Sequence, residues 1–496
     1  MIGRIIHKGD NMMVRGCSRN RTLQLRSKGR RPALLLALFI CVLICAGCRY
    51  TAAPADLLQK PSIAADKEEL AAAIAKALPQ FSVLMLPHRD DYKEAIRLKD
   101  LTGDGVPEAI VTYYNEFSTP EIMVLRQTEF GWRQSVLVEQ PLARDIAWLK
   151  VVDLDDDGEY ELIVGWVGAF DSPNVLELYS FHSKAVRNDN GMLTLPAIQT
   201  LPYELADAAD LDHDGKEEVI ILDALGTSGE HEVPSYYLSL YEWNKDGLAK
   251  QTILSMPQGV NQFERMLAGR ISDKHYGVLL EGGTGAHGML TYLYAWEKGG
   301  FELIYPNEKK GESGLSGTPT KSGDMNGDGI LELNVVRAAP GIEDVAYANT
   351  MWINEWVQWD GKDGYKLIAE QYIDSTYGVK LNVPEEWRGW YTLKKPKAST
   401  YGIVTFEYWN EKKRVSSELA TIYVVPLKQW GTVEAAWKGE HRSYRLIASD
   451  SGNAYLVSFA QEAPEQLSEE DKEQFLLMRG VEEHFTKYIS IDQDDR

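Results

Sequence analysis

The chain has 496 residues, enough for two or three domains, and a formal net charge of −21. Residues 1–48 hold nine Lys/Arg against one acid, so the remainder is near −29, which repels nucleic acid and anionic headgroups and suits cations. Hydrophobic content of 44% with 10% aromatics excludes a disordered chain.

Residues 4–31 are basic and polar, ending Lys28-Gly-Arg30-Arg31. An apolar run from Pro32 to Gly47 follows, short for a spanning helix and the right length for a signal-peptide core. It ends Ile44-Cys45-Ala46-Gly47-Cys48. This resembles the lipobox of bacterial lipoproteins, with Cys45 where Leu is usual. The resemblance implies a signal peptide over 1–47, lipidation at Cys48 and attachment to the outer face of the bacterial cell membrane. All four cysteines lie in these first 48 residues, so core, sheet and metal must hold the body together without disulfides. Residues 48–65 read as a tether. Residues 66–80 contain a short helix, with Leu70, Ala73, Ile74 and Leu78 at helical spacing.

An acidic loop followed at once by an apolar strand then recurs. Its copies place Asp100, Thr102, Asp104 and Glu108, then Asp153, Asp155, Asp157 and Glu161, then Asp210, Asp212, Asp214 and Glu218, then Asp324, Asn326, Asp328 and Glu332 at positions 1, 3, 5 and 9. The starting positions are 53, 57 and 114 residues apart, and the doubled gap predicts a fifth copy near 267–270. There the flanking apolar pattern survives without the acids, and Arg270 stands at the first position. Each period holds about four strand-like segments. In the second they are 148–153, 161–167, 175–181 and 192–198; in the last they are 318–323, 331–337, 351–359 and 365–371. Tandem four-stranded units predict a mainly β fold with a propeller of about five blades.

Carboxylates at positions 1, 3 and 5 of a tight turn converge on one point, Gly at position 6 permits the turn, and Glu at position 9 closes the shell. Such hard oxygens suit Ca²⁺, in up to four structural sites. An EF-hand would need Glu at position 12, where this chain has Val111, Val164, Ile221 and Val335. The bland alternative is an acidic turn without metal, which Asp and Gly favour in any case. The loops resemble the FG-GAP/VCBS repeats of integrin α-chains and many bacterial surface proteins. Over about residues 81–375 the resemblance implies a calcium-binding β-propeller.

The polar segments after the post-loop strands (115–120, 165–174, 225–235, 282–288 and 338–349) are expected to gather on one face and to bind a ligand. His231 and His287 are candidate contacts there, and Trp166 reads as core. From residue 376 a new pattern opens with Val383-Pro384-Glu-Glu-Trp387. Strands are expected at 401–409, 419–427, 443–449 and 453–459, then a helix opened by the capping box at Ser468 and running to about Tyr488. Residues 376–496 resemble the PsbP/Mog1-like α/β fold.

No catalytic constellation stands out, and a non-enzymatic role is expected. The leading reading is a monomeric, lipid-anchored extracytoplasmic binding protein whose propeller presents a face to an envelope protein or glycan. Two alternatives remain: a carbohydrate-active enzyme using Asp171, Glu230, Glu281, Glu343 or Asp344, and a structural envelope lipoprotein.

Overall fold

The computed structural model describes residues 65–89, 94–170, 172–225, 234–245, 247–285, 288–342, 345, 347–396 and 400–491. Residues 1–47, Cys48 and most of the tether lie outside these. The chain divides into two compact units, Met1–Ala71 and Ala72–Arg496. An α-helix, Ala65–Ala77, runs through the boundary, and Leu70 and Ile74 are its buried positions. No described helix is long and apolar enough to cross a membrane.

The second unit is mainly β. It opens with five mainly antiparallel sheets in sequence order, most built as simple meanders, with one parallel pairing in the first, Thr194 beside Leu137. The first contains Ile96–Lys99, Glu108–Tyr114, Pro120–Thr128 and Gly131–Glu139; Val83–Leu84 also pairs with the second of these. The second sheet contains Ala143–Val152, Glu161–Gly168, Val175–Ser180 and Gln199–Pro202. The third contains Leu205–Ala209, Glu218–Leu225, Ser235–Asn244 and Gly247–Ser255. The fourth contains Gln262–Arg270, Tyr276–Gly283, Met289–Glu297 and Gly300–Tyr305. The fifth contains Leu333–Ala338, Trp352–Trp359, Tyr365–Asp374 and Val379–Asn382, with Ile489–Ile491 added at its edge.

These sheets pack face to face in series, which explains why their second strands are apolar on both sides. Leu162, Val164 and Trp166 point into a core shared with Ile110 and Ile122 of the first sheet. Ile163, between them in sequence, points the other way, into a core shared with Val219 and Ile221 of the third. Ile220 and Leu240 meet Phe263, Val278 and Leu280 of the fourth sheet, whose Leu279 and Leu293 meet Leu333 and Trp359 of the fifth.

Two expected strands are placed differently. The stretch 192–198 does not complete the second sheet. Leu193–Thr194 pairs with the first sheet instead, because Leu195 is drawn into the core between the two, and Gln199–Pro202 takes the vacated edge. The stretch 318–323 forms no strand beyond one bridge, Gly323 to Glu332. Side-chain bonds hold it: Thr320 and Ser322 both donate to the buried Glu281.

The fifth sheet continues across residue 375, and its far face shares a core with the segments that follow. Met351, Ile353 and Tyr372 pack with Trp387, Phe406 and Phe485. A sixth sheet runs in the order Tyr391–Lys394, Gly402–Asn410, Val415–Pro426, Asn453–Phe459, Arg445–Ser449. The helix Glu469–Arg479 is capped as its sequence predicts, the Ser468 hydroxyl accepting from the Asp471 amide at 3.3 Å. A 3₁₀ segment, Gly480–Lys487, continues it. A second helix, Leu427–Gly439, was not expected. It lays Trp430, Val433 and Trp437 against Tyr423 and Leu456 on the other face of the sixth sheet.

Candidate metal centres

The four acidic loops share one hydrogen-bond scheme. Each Gly at position 6 donates its N–H to the first aspartate: Gly105 to Asp100 at 2.7 Å, Gly158 to Asp153 at 3.0 Å, Gly215 to Asp210 at 3.2 Å and Gly329 to Asp324 at 2.8 Å. These turns put φ at +85°, +87°, +93° and +79°, which only glycine adopts without strain. The residue at position 7 donates to the aspartate at position 5, at 2.8 Å in every copy. Each closing glutamate is buried and accepts the N–H of position 2: Leu101 to Glu108 at 2.9 Å, Leu154 to Glu161 at 3.2 Å, Leu211 to Glu218 at 2.7 Å and Met325 to Glu332 at 2.6 Å.

Three loops bring carboxylates together, with one ligand atom from each acid inside a 4.8 Å span. They are Asp210, Asp212, Asp214 and Glu218; Asp153, Asp155 and Glu161; and Asp324, Asp328 and Glu332. Asp157 falls outside its cluster because its carboxylate turns to His182 Nε2 at 3.1 Å. The Asn326 amide nitrogen faces Asp328 Oδ2 at 3.0 Å. The first loop forms no such cluster among the described residues. Its Glu108 accepts Arg126 Nε at 3.0 Å, and Asp100 Oδ1 and Thr102 Oγ1 are buried without a bond.

Crowded carboxylates raise one another's protonation tendency. Burial, opposed by the Leu154 N–H and reinforced by Asp155 and Asp157, pushes Glu161 up to about 7. Burial likewise pushes Glu218 up to about 7, with Asp212 and Asp210 adding to it. Burial raises Asp155 and Glu332 as well. The donor set is therefore all oxygen, anionic and under mutual repulsion, and Asp155 Oδ1 is buried with no partner. It fits a hard divalent cation.

Successive hairpins touch. The Tyr160 N–H donates to Leu101 O at 3.1 Å. Lys216 Nζ reaches Asp155 O at 3.5 Å, and the His213 and Tyr276 rings lie 4.2 Å apart. The Leu331 N–H donates to Arg270 O at 2.8 Å. The loops thus line up at one end of the sheets. Arg270 Nη2 reaches across to Asp328 O at 2.7 Å in the next loop.

Of the ligand candidates on the opposite loops, Asp171, Glu230, His231, His287, Glu343 and Asp344 lie outside the described residues. Glu281 is no surface acid: it is 1% exposed and accepts the Ser322 N–H at 2.9 Å and the Ser322 hydroxyl at 2.6 Å. Trp166 is core, its Nε1 donating to the Tyr179 hydroxyl at 3.2 Å.

No family model matches the chain, and no curated protein matches it. Solved structures do. One is an exotype rhamnogalacturonan lyase, 12% identical, covering 61% of this chain and 73% of its own, with a TM-score of 0.25. A rhamnogalacturonan lyase of Bacillus licheniformis is 12% identical, covering 61% and 74%, with a TM-score of 0.26. Another is 13% identical, covering 64% and 75%, also at 0.26. Likeness at this level carries no weight for fold or chemistry.

Proposed function

We propose that the protein is a calcium-stabilised binding protein, anchored through a lipid on Cys48 to the outer face of a bacterial membrane. Its five serial sheets would close into a propeller that presents a face to an envelope protein or glycan. The observation that carries the metal part of this reading is the convergence of three acidic loops of one design, each with carboxylate oxygens inside 4.8 Å. The ion's role is structural. Bound between the strands of a hairpin, it offsets the burial and the carboxylate repulsion that raise Glu161 and Glu218 and holds the two strands together.

Binding needs a rigid frame carrying variable loops, and this arrangement supplies one: a shared hydrogen-bond scheme at the acidic end, unlike loop sequences at the other. The test is a pull-down from envelope extract with and without calcium, with a glycan array alongside. Specific, calcium-dependent capture supports the reading. Capture unchanged by chelation, or none on either surface, counts against it.

A further inference from the structure

In every one of the five sheets, the same step of the ladder places a third-strand residue opposite the residue that closes the hairpin. That facing residue differs each time. It is Ser180 opposite Glu161 in the second sheet. Extending the other ladders by one step sets Arg126 opposite Glu108, Glu242 opposite Glu218, Trp296 opposite Tyr276 and Gln358 opposite Glu332.

We infer that this facing residue decides whether a hairpin takes a divalent cation, and that Arg126 fills the first loop with its own positive charge, so that the protein binds three ions rather than four. The inference rests on the calcium reading above and narrows it.

The geometry around Arg126 supports this directly. Arg126 Nε bonds Glu108 Oε1 at 3.0 Å, while Oε2 accepts the Leu101 N–H at 2.9 Å. Both oxygens of the closing glutamate are therefore committed. The guanidinium stays charged at any working pH, so an ion entering beside it meets like charge in place of a ligand. The first loop is also the one whose acids do not assemble into a cluster among the described residues. The facing residues of the other three acidic loops are neutral or acidic; the cations that touch two of those loops, Arg270 and Lys216, bond the backbone oxygens of Asp328 and Asp155 and not the closing glutamate. The Gln358 amide bonds both Asp328 Oδ2 at 2.7 Å and Glu332 Oε1 at 2.6 Å without adding charge. Glu242 lines one cavity with Asp212 and His213. A guanidinium facing the closing glutamate and an unassembled cluster thus coincide in one loop.

Thr102 offers a rival explanation, since a hydroxyl is a weaker ligand than a carboxylate. Metal counting on the full chain, by elemental analysis after equilibration with calcium and dialysis, separates the two. The expected counts are three for the wild type, three for Thr102→Asp, and four for Thr102→Asp combined with Arg126→Ser. Ser180→Arg should drop the count to two. Four ions in the wild type, or in Thr102→Asp alone, would overturn the role of Arg126. So would a folded double variant that stays at three. Should the double variant fail to fold, the wild-type and Ser180→Arg counts decide. No bound calcium in any protein overturns the calcium reading itself, and this inference with it.

Discussion

Asp207 receives both arms of Arg89, Nη1 at 3.1 Å and Nη2 at 2.9 Å, and the two residues are 118 positions apart. The same carboxylate accepts the Ala268 N–H at 2.8 Å, while the Arg89 and His88 amides bond Ala147 and Ile146 of the second sheet. One fork thus ties the second, third and fourth sheets through their first strands. Asp207 is 4% exposed, so removing the cation leaves a buried carboxylate with backbone donors only. Arg89→Ala should cost about 3 kcal/mol in urea unfolding, the low end for a broken buried pair. A cost below about 1 kcal/mol would show that the fork contributes little to joining the sheets.

Touching hairpins predict a contrast between two glycines. A Cβ on Gly103 would lie 2.6 Å from Gly158 O in the second loop, whereas one on Gly105 meets nothing within 4 Å. Both have positive φ, at +67° and +85°. Gly105→Ala should cost about 1 kcal/mol from backbone strain alone. Gly103→Ala should cost clearly more, because backbone must move apart. Equal melting temperatures for the two variants would mean that the first two loops are not packed as described.

The raised carboxyls fix a sign for pH dependence. Without metal, the folded state holds protons on Glu161 and Glu218 up to about pH 7, whereas the unfolded chain releases them near the ordinary value of 4.5. Between those values the folded state binds more protons, so stability falls as pH rises, by at most about 1.4 kcal/mol for each pH step of one at each glutamate. In EDTA the melting temperature should therefore fall from pH 5 to pH 8. Calcium competes with those protons, so its stabilising effect should grow over the same range. A calcium effect larger at pH 5 than at pH 8 would reverse this sign.

Much of the fold is legible in the sequence because both of its periods are written locally. Unbroken apolar runs place the second strands, and the Asp/Gly loops mark the hairpins, including the one at 271–275 found only from the doubled spacing. The helix Leu427–Gly439 is not legible: Gly431 interrupts it, and its Trp430, Val433 and Trp437 face is short. The first-sheet detour of Leu193–Thr194 depends on a tertiary core that propensity does not record. In the candidate centres, the ligands along each loop are visible, but the facing residues are not. Arg126 lies 18 residues beyond Glu108 and Gln358 lies 26 beyond Glu332, since the intervening hairpins differ in length. Only the register reveals that they occupy the same place.

The core between the first two sheets offers a test independent of metal. Trp166 is fully buried among Ile110, Leu149 and Leu162. Trp166→Ala should cost about 3–5 kcal/mol through lost burial and the cavity left behind, and the loss should be similar in calcium and in EDTA. A cost that disappears in EDTA would tie this core to the ions instead.

The most direct test of calcium as the fastener of these sheets is the melting temperature of the wild-type chain at pH 8, in calcium and in EDTA. Each occupied site at a hundredfold excess over its Kd contributes about 2.7 kcal/mol. Three such sites predict a large drop in melting temperature on chelation, restored by added calcium. An identical melt in both solutions would contradict the claim that the acidic loops hold structural metal.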